Sequence, residues 1–189
     1  MTRPCRIHII GGPGSGKTTL AHRLSSTLAI PAHDLDMIGY ASGAGARRLL
    51  PDRLADVAAI ARREGWITEG IFLWWMEELP RRADVIVWLD IPWRIAAWRI
   101  VARHARASLA GTNWHKGLRR LWRILRHARR YYTGRAITPM APDDDAAVTR
   151  EATAVVLAAC PTVVRCRSTR DVVRWLAQPE GDAIGTSSP

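Results

Sequence analysis

Between Ile91 and Pro142 this chain of 189 residues contains no aspartate or glutamate. The same stretch holds eleven arginines and Lys116, a local charge of +12, while the remainder carries 16 basic and 17 acidic residues. The excess positive charge is therefore confined to one segment, which excludes a uniformly basic protein. Lysine is nearly missing as well: only Lys17 and Lys116 occur, and 26 of the 28 basic residues are arginine. A GC-rich genome would produce that bias, so the clustering is more informative than the choice of cation.

Cysteine is scarce. Cys5, Cys160 and Cys166 show neither paired nor metal-ligand spacing, which excludes a disulfide scaffold and suits reduced thiols in the cytoplasm. Uncharged apolar runs never reach the roughly 18 residues that a membrane-spanning helix needs. The N-terminus moves straight into a strand pattern, so no signal peptide is expected. At 48% hydrophobic and 24% charged, the composition is that of an ordinary globular domain. One domain is expected over residues 1–177, with the small, polar stretch 178–189 as a disordered tail.

What is present is sharper. Residues 11–18 read G-G-P-G-S-G-K-T and follow the apolar run Ile7-His8-Ile9-Ile10. This is the phosphate-binding loop pattern G-x-x-x-x-G-K-[ST], placed after a strand and before the amphipathic helical run Thr18–Leu28. The glycines let the backbone wrap around a polyphosphate with its N–H groups turned inward. The loop residues Gly11, Gly12, Pro13, Gly14, Ser15, Gly16, Lys17, Thr18 and Thr19 are therefore the expected nucleoside triphosphate site. Lys17 would reach the β- and γ-phosphates, the Thr18 hydroxyl would ligate Mg²⁺, and the helix N-terminus would face the bound charge.

Further along, strand signals appear at Ile30–His33, Trp66–Thr68, Val85–Leu89 and Thr162–Cys166. Helical patterns alternate with them at Pro51–Arg63, Trp93–Ala107 and Lys116–Tyr132, and another follows Asp143-Asp144-Asp145 and ends near Cys160. Such alternation argues for a parallel sheet covered on both faces. Ligands of such sheets bind at the carboxyl ends of the strands. The acids there are Asp34 and Asp36, Glu69, and Asp90, which closes an apolar run in the Walker B manner. One carboxylate should face Thr18 across the metal, and one near the γ-phosphate could take the proton of an attacking hydroxyl. Asp90 would equally serve to cap the next helix. Arg99 and Arg103, four apart on one helix face with Arg106 beside them, suit the charge of a transferring phosphoryl group.

The loop, Asp34-Leu35-Asp36, W-I-T-E-G and V-I-V-W-L-D-I-P-W-R-I-A-A-W-R-I-V-A-R together resemble the adenylate-kinase-type small kinases, in particular their branch of DNA topology modulation proteins. The likeness runs from about Arg6 to Leu176. It implies a three-layer α/β/α P-loop fold, with a five-stranded parallel sheet in the order 2-3-1-4-5. A helical lid over about residues 99–135, and phosphoryl transfer from ATP with Mg²⁺ to a small acceptor such as a nucleotide or nucleoside, are implied too. By position it makes Arg99 and Arg103 the lid-helix arginines and Glu69 the holder of the Mg²⁺ shell. Asp36 falls on the acceptor side, and the Ser168–Arg170 loop, with Arg170, falls against adenine. E-G-I-F stands where the family carries an acceptor-binding arginine, so Arg81, Arg82, Arg47, Arg48 or Arg53 would have to replace it.

The basic segment allows three readings. Arg119, Arg123, Arg126 and Arg130 form one helical stripe, with Leu118, Leu121, Trp122 and Leu125 on the adjacent, core-facing side. It could extend the lid over phosphates, contact nucleic acid through charge and nearby aromatics, or be a solvated face. A nucleoside-triphosphate-hydrolysing regulator that touches nucleic acid is thus the alternative to a kinase. The nine tryptophans are expected in or near the core, Trp74-Trp75 by packing more than by lining a pocket, and His8 as a core histidine.

Overall fold

The computed structural model describes residues 5–43, 45–111, 117–136 and 148–177. Five strands, β1 (Arg6–Gly11), β2 (Ala32–Asp34), β3 (Trp66–Gly70), β4 (Val85–Leu89) and β5 (Val163–Cys166), pair in parallel in the order β2-β3-β1-β4-β5. Every residue of β3 and β4 is buried, which is why β4 reads as a continuous rather than an alternating apolar run; β3 buries Thr68 and Glu69 as well. The register sets Ile9 of β1 beside Glu69 and Val87, and Gly11 beside Leu89. The phosphate loop thus leaves the sheet from its central strand, flanked by the ends of β3 and β4.

Helices cover both faces. On one side α1 (Lys17–Leu28) and α8 (Thr169–Leu176) pack on Ile7, Ile9, Val85, Val87 and Leu89. On the other, Ile10, Ile86 and Trp88 meet Tyr131 of α6 (Leu118–Thr133) and Ala152 and Leu157 of α7 (Arg150–Leu157). A third cluster joins α2 (Leu35–Gly39), α3 (Leu50–Ala61) and α4 (Glu78–Arg82) through Leu35, Val57, Ile60, Leu79, Trp66 and Trp75. The long helix α5 (Trp93–Leu109) follows β4. The architecture is the three-layer α/β/α arrangement with the strand order the resemblance implied.

Several details differ from the expectations. The second strand lies at Ala32–Asp34 rather than Ile30–His33, because pairing with Ile67, Thr68 and Glu69 of β3 decides its register. Three helices, α2, α4 and α8, were not anticipated; the first two have five residues each, too few to show a period. Asp143–Asp145 and the tail 178–189 lie outside the described residues. The N-terminal half of α6 also departs from its expected orientation. Leu118 and Trp122 are 81% and 62% exposed, and its buried residues are Ala128 and Tyr131. The C-terminal end of α6 is anchored by its two tyrosines, and that contact fixes which side faces inward. Trp98, 70% exposed, is the other exposed tryptophan among the described residues.

His8 is fully buried on β1, with Nδ1 2.9 Å from Thr68 Oγ1, and burial pulls its pKa down to about 4. The unfolded chain binds a proton at this residue between about pH 6.5 and 4 and the folded chain does not, so acidification through that window weakens the fold. His33, part-buried and also lowered by burial and then by Arg63, adds to the same slope. Urea unfolding across this pH range is expected to show stability falling by up to about 3 kcal/mol from His8, and His8→Gln should flatten most of the slope.

Candidate active site

A phosphate loop must turn its amides to one side, and that leaves its outer side to be held by something else. Gly14 and Gly16 adopt φ of +78° and +101°, the left-handed conformation that glycine tolerates without strain. The outer side is closely covered. A Cβ at Gly12 would come within 2.3 Å of Tyr131 Cδ1 and 2.8 Å of Tyr132 Cζ, and one at Gly14 within 2.7 Å of the Ala96 carbonyl oxygen. Tyr132 donates its phenolic hydrogen to the Pro13 carbonyl at 2.9 Å, and its ring lies 5.3 Å from that of Trp93. Burial raises the Tyr132 pKa, with Tyr131 adding to the effect, so the hydroxyl remains a donor. Nothing in the local sequence pattern marks this contact beyond the adjacency of the two tyrosines.

Inside the loop, Lys17 Nζ reaches the Gly12 carbonyl at 3.4 Å. Burial holds its ammonium below the ordinary lysine value, a push that the carboxylates of Glu69, Asp36 and Asp34 partly reverse and that Arg103 reinforces. Ser15 Oγ is buried and has no hydrogen-bond partner among the described residues. An under-neutralised cation and an orphan hydroxyl beside strand-end amides are the features a polyphosphate satisfies, so the residues fit that ligand.

Thr18 donates from Oγ1 to Glu69 Oε1 at 2.6 Å. Glu69 is 5% exposed and is placed by its register opposite Ile9 of β1. No group of three or more histidine, cysteine or acidic side chains converges among the described residues. Mg²⁺ does not need one, since it keeps water and takes phosphate oxygens with one or two protein ligands. The hydroxyl and carboxylate are both hard oxygen donors, and as a pair they fit that ion.

Lys17, Thr18, Thr19, Asp36, Glu69, Arg99 and Arg103 all line one cavity of about 770 Å³, with Pro13, Gly14 and Gly16 at its floor. Asp36 enters it from the first turn of α2, whose N-cap, Asp34, accepts from the Asp36 amide at 2.8 Å. From α5 come Arg99, Arg103 and Arg106 at i, i+4 and i+7, with Trp98 beside them. Arg99 is already engaged, donating to the Ser15 carbonyl at 2.6 Å and to Thr169 Oγ1 at 3.1 Å. It also lines a second, smaller cavity of about 340 Å³ with Leu20, Leu89, Ile91, Thr169 and Val172.

Other sequence candidates do not arrive. Arg170 is exposed on the first turn of α8 and lines neither cavity; its neighbour Thr169 takes that position. Arg48 is bonded to the Ile38 carbonyl and Asp56, and Arg82 pairs with Glu78. Arg53 is buried against Trp74 and Trp75, and neither Arg47 nor Arg81 lines the cavity. Arg48, Arg53 and Arg82 are thus engaged away from the cavity. Asp90 is neither a metal ligand candidate nor a cap: it is 2% exposed and accepts from Nε and Nη2 of both Arg150 and Arg165, tying β4 to α7 and β5. Burial alone would raise its pKa, but those bonds outweigh it and keep the carboxyl below the ordinary value.

Tyr132→Phe removes the bond to the Pro13 carbonyl and keeps the ring. Its nucleotide affinity, measured by calorimetry, should fall about three- to tenfold with little change in melting temperature. Gly12→Ala forces the tyrosines apart and should cost about 1–3 kcal/mol of stability as well.

No family model matches the sequence, and no curated protein matches it. Solved structures do. A shikimate kinase from Bacteroides thetaiotaomicron is 20% identical with a TM-score of 0.39, over 51% of this chain and 63% of that one. A gluconokinase from Sinorhizobium meliloti is 20% identical with a TM-score of 0.40, over 68% of this chain and 91% of that one. A shikimate kinase from Aquifex aeolicus is 18% identical with a TM-score of 0.40, over 66% and 78%. These are among the structures to which the chain is similar.

Proposed function

We propose that this chain is an ATP-dependent phosphotransferase that moves the γ-phosphoryl group to a small acceptor, such as a nucleotide, a nucleoside or a similar metabolite, in the cytoplasm. The observation that carries the reading is the Thr18–Glu69 pair, 2.6 Å apart beside Lys17 in a cavity that also receives Asp36 and Arg103. A hydrolase needs only room for water beside the γ-phosphate. This cavity extends well past the loop along α5 to Ala110, and supplies a carboxylate and cations over that extra length.

In this reading the loop amides and Lys17 hold the β- and γ-phosphates. Thr18 and Glu69 hold Mg²⁺, which when bound neutralises phosphate charge. The base sits in the smaller cavity between Leu20, Val172 and Thr169, with Arg99 as the wall between base and phosphates. Arg170 is the exposed neighbour of Thr169 at the start of α8. An acceptor hydroxyl oxygen attacks the γ-phosphorus while the bond to the β,γ-bridging oxygen breaks and ADP leaves. Asp36 receives the hydroxyl proton. Arg103 spreads positive charge over the moving group, and Arg99 joins it on exchanging its bond to Ser15. In this reading helices α5 and α6 form the lid, and the order of the motifs supports a kinship with the DNA topology modulation branch of small kinases.

The alternative, a nucleotide-hydrolysing regulator touching nucleic acid, draws on one feature: all six arginines of α6 are exposed, with Trp122 among them. An acceptor panel with labelled ATP separates the two. Transfer to one class of acceptor should exceed transfer to water, Arg103→Ala should lower kcat about 10²-fold, and Lys17→Ala should abolish both nucleotide binding and transfer. Hydrolysis to water alone, with salt-sensitive DNA retention indifferent to Lys17→Ala, would remove the kinase reading.

A further inference from the structure

On the outer side of the phosphate loop lies a third cavity, of about 370 Å³, between the end of α6, the first turn of α7, and Trp88 and Arg165 on β4 and β5. Three guanidinium groups line it, from Arg135, Arg150 and Arg165. Two of these are held in place from below. Each gives Nε and Nη2 to the buried carboxylate of Asp90, so one negative charge orients two cations and neutralises only one of them. The Trp88 ring lies 4.3 Å from the Arg165 guanidinium carbon and fixes it further. Even so, the Arg150 and Arg165 side chains are 43% and 40% exposed.

The remaining groups keep the cavity positive. Arg135 forms no ion pair among the described residues. Glu151, the only acid among the described lining residues, accepts from the Ala136 amide at 2.9 Å. Among these described residues, three arginines set against Asp90 and Glu151 leave one positive charge. The first turn of α7 adds the positive end of its dipole.

A solvated surface arginine loses rotamer freedom when it grips an anion. Arg150 and Arg165 have lost theirs already, to Asp90, so an anion meets them preorganised. Guanidinium groups from three different elements suit a tetrahedral group with three or four acceptor oxygens better than a planar carboxylate with two.

We propose that this cavity is a second anion site, distinct from the nucleotide cavity, which takes a phosphate group as the free ion or as a small monoester. The site does not depend on the phosphotransfer reading. Its occupant would lie one side chain from the phosphate loop, because Tyr132 both lines the cavity and donates to Pro13.

The test uses the full chain carrying Lys17→Ala, which disables the nucleotide loop. Sodium phosphate and ribose 5-phosphate are titrated by calorimetry and by thermal melting, against sodium chloride at matched ionic strength. Saturable stabilisation by phosphate beyond that of chloride is expected, weakened about tenfold by adding Arg135→Ala and largely restored by Arg135→Lys. Arg135 is exposed, so its replacement should leave the melting temperature in chloride unchanged. Tighter binding of the ester would identify a phosphorylated metabolite as the ligand, and equal binding would identify the free ion. A response to phosphate no larger than to chloride, or one that Arg135→Ala leaves intact, overturns the proposal.

Discussion

The turn from Gly11 to Gly16 can present its amides to a polyphosphate only if its other side is held still. In this molecule the holding is done by aromatic packing and two hydrogen bonds. Tyr131 and Tyr132 lie within a methyl group's reach of Gly12, and Ala96 closes on Gly14. The loop's own carbonyls at Pro13 and Ser15 are taken by Tyr132 and Arg99, and the Ser15 N–H donates to the Gly12 carbonyl at 3.2 Å, so these carbonyls do not compete for the inner side of the turn. An anion nest is a high-energy arrangement when empty, since its dipoles point together. The contacts from α5 and α6 keep it open, so glycine at position 12 serves close approach by side chains as much as backbone freedom.

The same contacts explain the electrostatics of the cavity. Lys17 is pressed below its ordinary value by burial, and the three carboxylates near it restore only part of the loss. Glu69 is buried yet bonded to a neutral hydroxyl, not to a cation. In the proposed function each group meets a partner of opposite sign, phosphate for one and a metal ion for the other. Direct pairing of Lys17 with Glu69 would satisfy both more cheaply. No such bond is seen; Lys17 turns instead to the Gly12 carbonyl.

Much of this was legible in the sequence. The phosphate loop, the acids ending β2 and β3, and the arginine spacing on α5 each follow from local pattern, because strand ends and helix faces place them. What was not legible depended on pairing at long range. Asp90 ends an apolar strand as a metal-binding acid would, and only the arrival of Arg150 and Arg165, 60 and 75 residues later, makes it a structural anchor. The resemblance sets Arg170 against adenine; the capping box of Ser168 with Asp171 starts α8 at Thr169, and Thr169 rather than Arg170 lines the smaller cavity. An S-x-x-D signal was there to be read. The inner face of α6 was misjudged because hydrophobic periodicity cannot say which end of a helix is anchored.

The acid-free segment, finally, acquires a division of labour. Arg99, Arg103 and Arg106 on α5 line the large cavity beside the phosphate loop, Arg135 lines the cavity behind the loop, and the six arginines of α6 face solvent. A carboxylate anywhere along α5 at i±3 or i±4 from these residues would pair with a guanidinium in the empty state and compete with any ligand phosphate. Where the fold does want an arginine fixed, at Arg150 and Arg165, it supplies a buried aspartate from outside the segment, on β4. The absence of acid between Ile91 and Pro142 therefore keeps guanidinium groups available, whereas Asp90, one residue before the segment starts, immobilises two that lie beyond it.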